Sequence, residues 1–144
     1  MKRQLMLATL FATLATSHAF ARDTVHDYPV DEALQSEPGK VSDDIPLYFA
    51  GQRHPAVVKS QGEFSTNKKT NAFGKSDEVA CKHVFLSAVI ELQERARKEG
   101  GNAVINIKSN YRNELRESAT RYTCGAGAVI AGVALIGDVV TLKK

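Results

Sequence analysis

The residues best able to do chemistry in this chain are two cysteines, Cys81 and Cys124, and the histidines His26, His54 and His83. Cys81 follows Ser76-Asp77-Glu78, a hydroxyl cap with two carboxylates at the positive end of a helix. A free thiol there would be acidified by the same dipole. His83 lies two residues on, and positions i and i+2 do not share a helix face, so the two are not a nucleophile and its base. There is no Cys-x-x-Cys for thiol exchange. Nor do Cys81, His83, His54 and His26 show the spacings of zinc ligands, which leaves His54 and His83 as the weak metal candidates. Gly74-Lys75-Ser76 opens a helix as a phosphate loop does, but that motif needs a glycine five residues earlier, where Lys69 stands. No Ser/His/Asp arrangement and no carboxylate pair in apolar surroundings appears. The expectation is a protein that is not an enzyme and carries no cofactor.

The start of the chain sets the compartment. "MKRQLMLATLFATLATSHAFARD" places Lys2 and Arg3 before an apolar run from Leu5 to Leu14 and ends in Ala19-Phe20-Ala21, the layout of a secretory signal peptide cut after Ala21. The run is shorter than the ~20 residues that span a bilayer. Residues 1–21 are therefore read as a signal peptide, and residues 22–144 as an exported, soluble periplasmic protein with no transmembrane segment. An even cysteine count in an oxidising compartment argues for a disulfide between Cys81 and Cys124. Such a bond would tie the first turns of a helix to the strand that the helix covers.

Charge divides the mature chain in two. Residues 22–44 hold seven acidic and two basic residues, few large apolar ones and a Pro-Gly pair. That composition predicts a flexible acidic arm. Residues 45–144 hold fifteen basic and nine acidic residues and are read as one domain. Its elements follow from periodicity: short strands in "IPLYFAG" and "AVVKSQGEFS", the latter irregular at Gly62, and a polar loop over "TNKKTNAFGK". A helix should run from Ser76 to about Glu99 and stop at Gly100-Gly101, with Val79, Phe85, Leu86, Val89, Ile90, Leu92 and Ala96 on its apolar side. "NAVINIKSNY" alternates with period two, as a strand does. "RNELRES" is a charged connection.

The stretch "CGAGAVIAGVALIGDVVTL" is interrupted by Gly125, Gly127, Gly132 and Gly137, too short and too glycine-rich for a spanning helix. Its β-branched residues predict one bent strand or a hairpin, turning near Gly125–Gly127 or at Gly137-Asp138, buried beneath the helix. The fold class is α+β: one main helix packed on a small, mostly antiparallel sheet.

The junction "RARKEGGNAVINIKS" carries a further pointer. Arg95, Ala96, Gly101, Asn102, Ala103 and Val104 resemble the helix-to-strand hallmark of the RcsF/YbjQ-like group of small bacterial domains. The likeness covers roughly residues 55–144. One branch of that group is exported, disulfide-bonded and works through protein contacts in envelope-stress sensing. The other is cytoplasmic and described as heavy-metal-binding. Export and cysteine placement are similar to the first branch. The chain departs from it in having no lipid-bearing cysteine and two cysteines rather than four, with Ser109 where the sensor's strand has a third.

The resulting expectation is a periplasmic, non-enzymatic interaction or envelope-stress accessory domain with an envelope protein as partner. A metal- or small-ligand-binding module is the alternative. The candidate contact surface is the basic rim of Lys68, Lys69, Arg112 and Arg116. Nucleic acid is excluded as a partner by compartment.

Overall fold

The protein is described by a computed structural model covering residues 22–144; the signal-peptide reading of residues 1–21 lies outside the described residues. Helix α2, Asp77–Glu99, is set by its ends. The Ser76 hydroxyl accepts from the Val79 N–H at 3.2 Å. Gly100 takes the left-handed conformation, φ 78°, that a side chain would resist. Gly101 follows because the chain then passes over the sheet: a Cβ there would lie 2.8 Å from the Val140 carbonyl oxygen.

Six strands form one mixed sheet: β1 Thr24–Pro29, β2 Leu47–Phe49, β3 Val57–Asn71, β4 Ala103–Ser109, β5 Arg121–Ala126 and β6 Ile130–Leu142. The order is β1-β5-β6-β4-β2, with β3 lying along the other side of β6. All pairings are antiparallel except β2 with β4. The glycine-rich stretch is thus a hairpin, turning at Gly127–Val129, and its second strand is the centre of the sheet. Among the described residues no helix is long and apolar enough to cross a membrane.

One face of the sheet meets α2. Val84, Phe85, Ala88, Val89, Leu92 and Ala96 pack on Ile107, Tyr122, Val133, Leu135 and Val139 in a fully buried core. Cys81 and Cys124 are joined, with Cα atoms 5.9 Å apart, so the bond fastens the first turns of α2 to β5. Gln93 is buried on the same helix; its Nε2 donates to the carbonyls of Ser42 and Ile45 at 2.7 and 2.8 Å, holding down the loop before β2.

Four expectations are corrected. Residues 22–44 are not a flexible arm. Residues 24–29 pair along the whole of β5, a short helix α1 follows at Val30–Gln35, and Val30 and Ala33 enter the core. The acidic residues meet the body's cations: Asp23 with Arg112, Asp27 with Arg116, Glu32 with Lys82, and Asp44 with Arg97. Backbone pairing with β5 and the burial of Val30 and Ala33 thus fix the segment, and the exposed ion pairs add modestly to them.

The polar loop expected over "TNKKTNAFGK" is mostly strand, because β3 follows β6 as far as the Asn71–Ile130 pair. Its outer edge is exposed, so polar side chains serve there as well as apolar ones. The alternation of β4 breaks at Asn106, which has φ 52° and coincides with a register shift. The bulge changes the phase, so Val104 and Ile107 face the main core while Ala103 and Ile105 join a smaller cluster with Val140 and Leu142. Val79, expected on the apolar side of α2, is 56% exposed.

The start of α2 is also held by Arg22, just before β1, and by His26 within it. Arg22 donates twice to the Asp77 carboxylate, at 2.8 and 2.9 Å, and His26 Nε2 lies 2.9 Å from the same group. These contacts, Arg22 first, hold the Asp77 carboxyl down to about 2 from its ordinary 3.8. A carboxyl depressed in this way stabilises the fold above its ordinary pKa and loses that contribution as pH falls through the folded value. Unfolding free energy is therefore expected to drop between pH 3.8 and pH 2. Asp77→Asn should flatten part of that drop, read from urea midpoints across the window. Asp44, lowered by Arg97, titrates in the same direction and keeps the rest. Arg22 is half exposed, so solvent screening keeps the effect modest.

Candidate functional site

Side chains alternate along β5 and β6, so the residues beside the core-facing Cys124 and Val133 point to the opposite face. There Gly125 and Gly132 stand directly across from one another. Two missing side chains leave a flat seat, and the ring of Tyr111 occupies it. A Cβ on Gly125 would fall inside the Tyr111 phenol, and one on Gly132 would touch its ring at 3.7 Å. The Tyr111 hydroxyl reaches Asp23 at 3.3 Å.

The turn that delivers Tyr111 is held in an unusual conformation. Arg112 and Asn113 both have positive φ, 54° and 61°, where non-glycine residues are uncommon. The turn is fixed by the Asn110 N–H on the Ala134 carbonyl at 2.8 Å and the Glu114 N–H on the Tyr111 carbonyl at 3.1 Å. A left-handed non-glycine pair persists only where its surroundings over-determine it. Here the glycine seat and those two hydrogen bonds do so.

Beside the turn runs a groove of about 580 Å³. Its floor is Gly132 and Ala134, one wall is Asn67 and Lys69 of β3, and the other is Tyr111 and Arg112. Small residues keep the floor low while the long wall side chains place cationic groups above it. Arg112 is paired with Asp23. Lys69 has no carboxylate within 4 Å among the described residues, which leaves its ammonium available to a ligand.

The rim expected from sequence is thus divided. Lys69 and Arg112 share the groove. Arg116 lies in a smaller cleft that Arg112 also borders, within 3.6 Å of Asp27 and 3.3 Å of Glu114. Lys68 points to the helix side and pairs with Glu91 of α2 at 2.5 Å. The metal candidates are not brought together. His54 packs edge-on against Tyr48 with its Nδ1 2.8 Å from the Pro55 carbonyl, whereas His83 binds Glu37 at 2.9 Å. Cys81 is taken by the disulfide. Among the described residues no three His, Cys, Asp or Glu side chains form a cluster able to hold a metal ion.

Sequence reasoning missed Tyr111, Asn67 and the glycine pair. A signal for the glycines was present: once the turn is centred between Ala128 and Val129, Gly125 and Gly132 fall opposite each other.

No family model and no curated protein matches the chain. Among solved structures it is similar to a protein of unknown function of the DUF74 family from Pediococcus pentosaceus. The TM-score is 0.47 and the identity 14%, covering 69% of this chain and 98% of that one. A superposition that loose carries no argument about activity or site.

Proposed function

We propose that this chain is an exported, disulfide-clamped interaction domain of the periplasm that is not an enzyme. It takes a segment of an envelope protein into the groove between Lys69 and Arg112. The observation that supports this most is the groove itself: a preformed, small-residue floor walled by an anchored aromatic ring and an uncompensated lysine. Anchored aromatics and arginines are the side chains on which binding energy concentrates. The envelope-stress setting rests on the RcsF-like motif of Arg95 to Val104 and on the paired cysteines. A small anionic ligand is the second reading, favoured because about 580 Å³ falls in the range of small-molecule sites.

A photo-crosslinking amino acid placed at Asn67 in the producing cell is expected to give one protein adduct of defined mass. The same residue at Lys98, on the helix side, should give none. Gly125→Ala should displace Tyr111 from its seat and reduce the adduct roughly tenfold, the loss of one modest binding anchor. No adduct, or equal adducts from Asn67 and Lys98, would sink the proposal. Protection of Asn67 by a small metabolite without any protein adduct would select the second reading.

A further inference from the structure

Three large apolar side chains meet, uncovered, at one end of the sheet. Phe73 is 73% exposed, Val129 58% and Ile130 54%. Phe73 lies on the loop from β3 to α2; Val129 and Ile130 belong to the turn and first residue of the hairpin. The Ala72 N–H donates to the Val129 carbonyl at 2.7 Å, and Asn71 pairs with Ile130, so the two loops form a single tip. An apolar patch left open by a folded monomer marks a surface made for contact.

Part of the backbone of this tip is hydrogen-bonded within the tip itself. The Phe73 N–H donates to the Asn71 side chain at 2.9 Å, and the Lys75 N–H to the Ala72 carbonyl at 3.1 Å. The Gly127 N–H donates to the Ile130 carbonyl at 2.8 Å. Each of these bonds lowers the cost of taking the tip out of water.

Charge around the tip has one sign left over. Lys69 borders the same apolar patch, and Lys75 reaches only a backbone carbonyl, that of Asn71, at 3.3 Å. Neither has a carboxylate within 4 Å among the described residues. The acids nearest to Lys75 in sequence, Asp77 and Glu78, are committed to Arg22 with His26 and to Lys82, and Glu37, which borders the same cleft as Lys75, is committed to Lys40 and His83.

We propose that this tip docks on an anionic phospholipid surface. Phe73, Val129 and Ile130 enter the boundary between headgroups and acyl chains, and Lys69 and Lys75 meet the lipid phosphates. A protein is the other conceivable occupant. Two loop apices project here with unpaired lysines beside their apolar side chains, and that arrangement suits a wedge into an anionic lipid surface.

The test is co-sedimentation of the mature protein with vesicles rich in phosphatidylglycerol, compared with vesicles of phosphatidylcholine alone. Binding to the first and little to the second is expected. Phe73→Ser should reduce the partition coefficient roughly tenfold, the scale of withdrawing one aromatic side chain from an apolar phase. Lys69→Ala and Lys75→Ala should each reduce it about fivefold, and added salt should erase the lysine effect while sparing that of Phe73. All three positions are on the surface, so the variants should melt with the parent, which keeps a loss of binding interpretable. Gly125→Ala alters the groove but not Phe73, so vesicle binding should survive it even where partner crosslinking fails. No sedimentation with anionic vesicles, or equal sedimentation of the parent and Phe73→Ser, overturns the proposal. So does a photo-crosslinker at Phe73 that labels a protein and no phospholipid.

Discussion

Protein recovered from the producing cell and alkylated without reduction is expected to have the mass of residues 22–144 less two hydrogens, with no alkyl adduct. Its Cys81→Ala/Cys124→Ala variant is expected to melt on the order of 15 °C lower. The bond joins residues separated by 43 positions, and both cysteines are fully buried. In the chain-entropy account, closing such a loop removes about 4 kcal/mol worth of freedom from the unfolded chain. That is a large part of the 5–15 kcal/mol typical of a whole domain. The location adds to the loss, since the bond fixes the start of the long helix α2 to the strand that carries the Gly125 seat. Reductant should lower the melting temperature of the parent by a similar amount and leave the variant unmoved. Two alkylated thiols in the isolated protein, or a variant that melts with the parent, would remove the disulfide from the account of this fold.

Phe85→Ala should be nearly as damaging, at about 3–5 kcal/mol. The ring is fully buried and stacks on Tyr122 with centroids 4.0 Å apart, while Phe49 lies 6.0 Å away on its other flank. One side chain thus joins α2 to β5 and to β2. Removing it leaves a cavity bounded by a strand paired to β1 and a three-residue strand, neither of which can collapse inward without breaking its pairing. The urea midpoint should fall sharply with the slope unchanged.

Tyr122 supplies the contrast. Its hydroxyl is buried with no hydrogen-bond partner, and burial pushes its pKa well above the usual phenol range. An unpaired buried hydroxyl costs stability, so Tyr122→Phe should match or exceed the parent. If Phe85→Ala and Tyr122→Phe were equally destabilising, the stack would not be what holds this face together.

The parts of the fold legible in sequence were those set by local chemistry. Ser76 and Gly100 bound α2 because capping is decided within a few residues. The β-branched run after Cys124 is strand because no other element suits it. What escaped depends on partners distant in the chain. Residues 22–44 are ordered by β5 and by cations at Lys82, Arg97, Arg112 and Arg116, none of which is visible from their own composition. The far half of β3 reads as loop until β6 is placed beside it. The Asn106 bulge shifts the phase of a strand whose alternation had looked regular. At the candidate site, Lys69 and Arg112 were found from charge alone. Lys68 and Lys69 were separated only once both lay on a strand, where neighbours must face opposite ways.

The position of β6 also bears on when this protein can fold. It follows β3, α2, β4 and β5 in the chain, yet all three of those strands hydrogen-bond to it, and α2 packs across it. A nascent chain that has released β3, α2 and β4 has no central strand on which to assemble them. The whole sheet therefore waits for β6, since distant pairings must await loop closure.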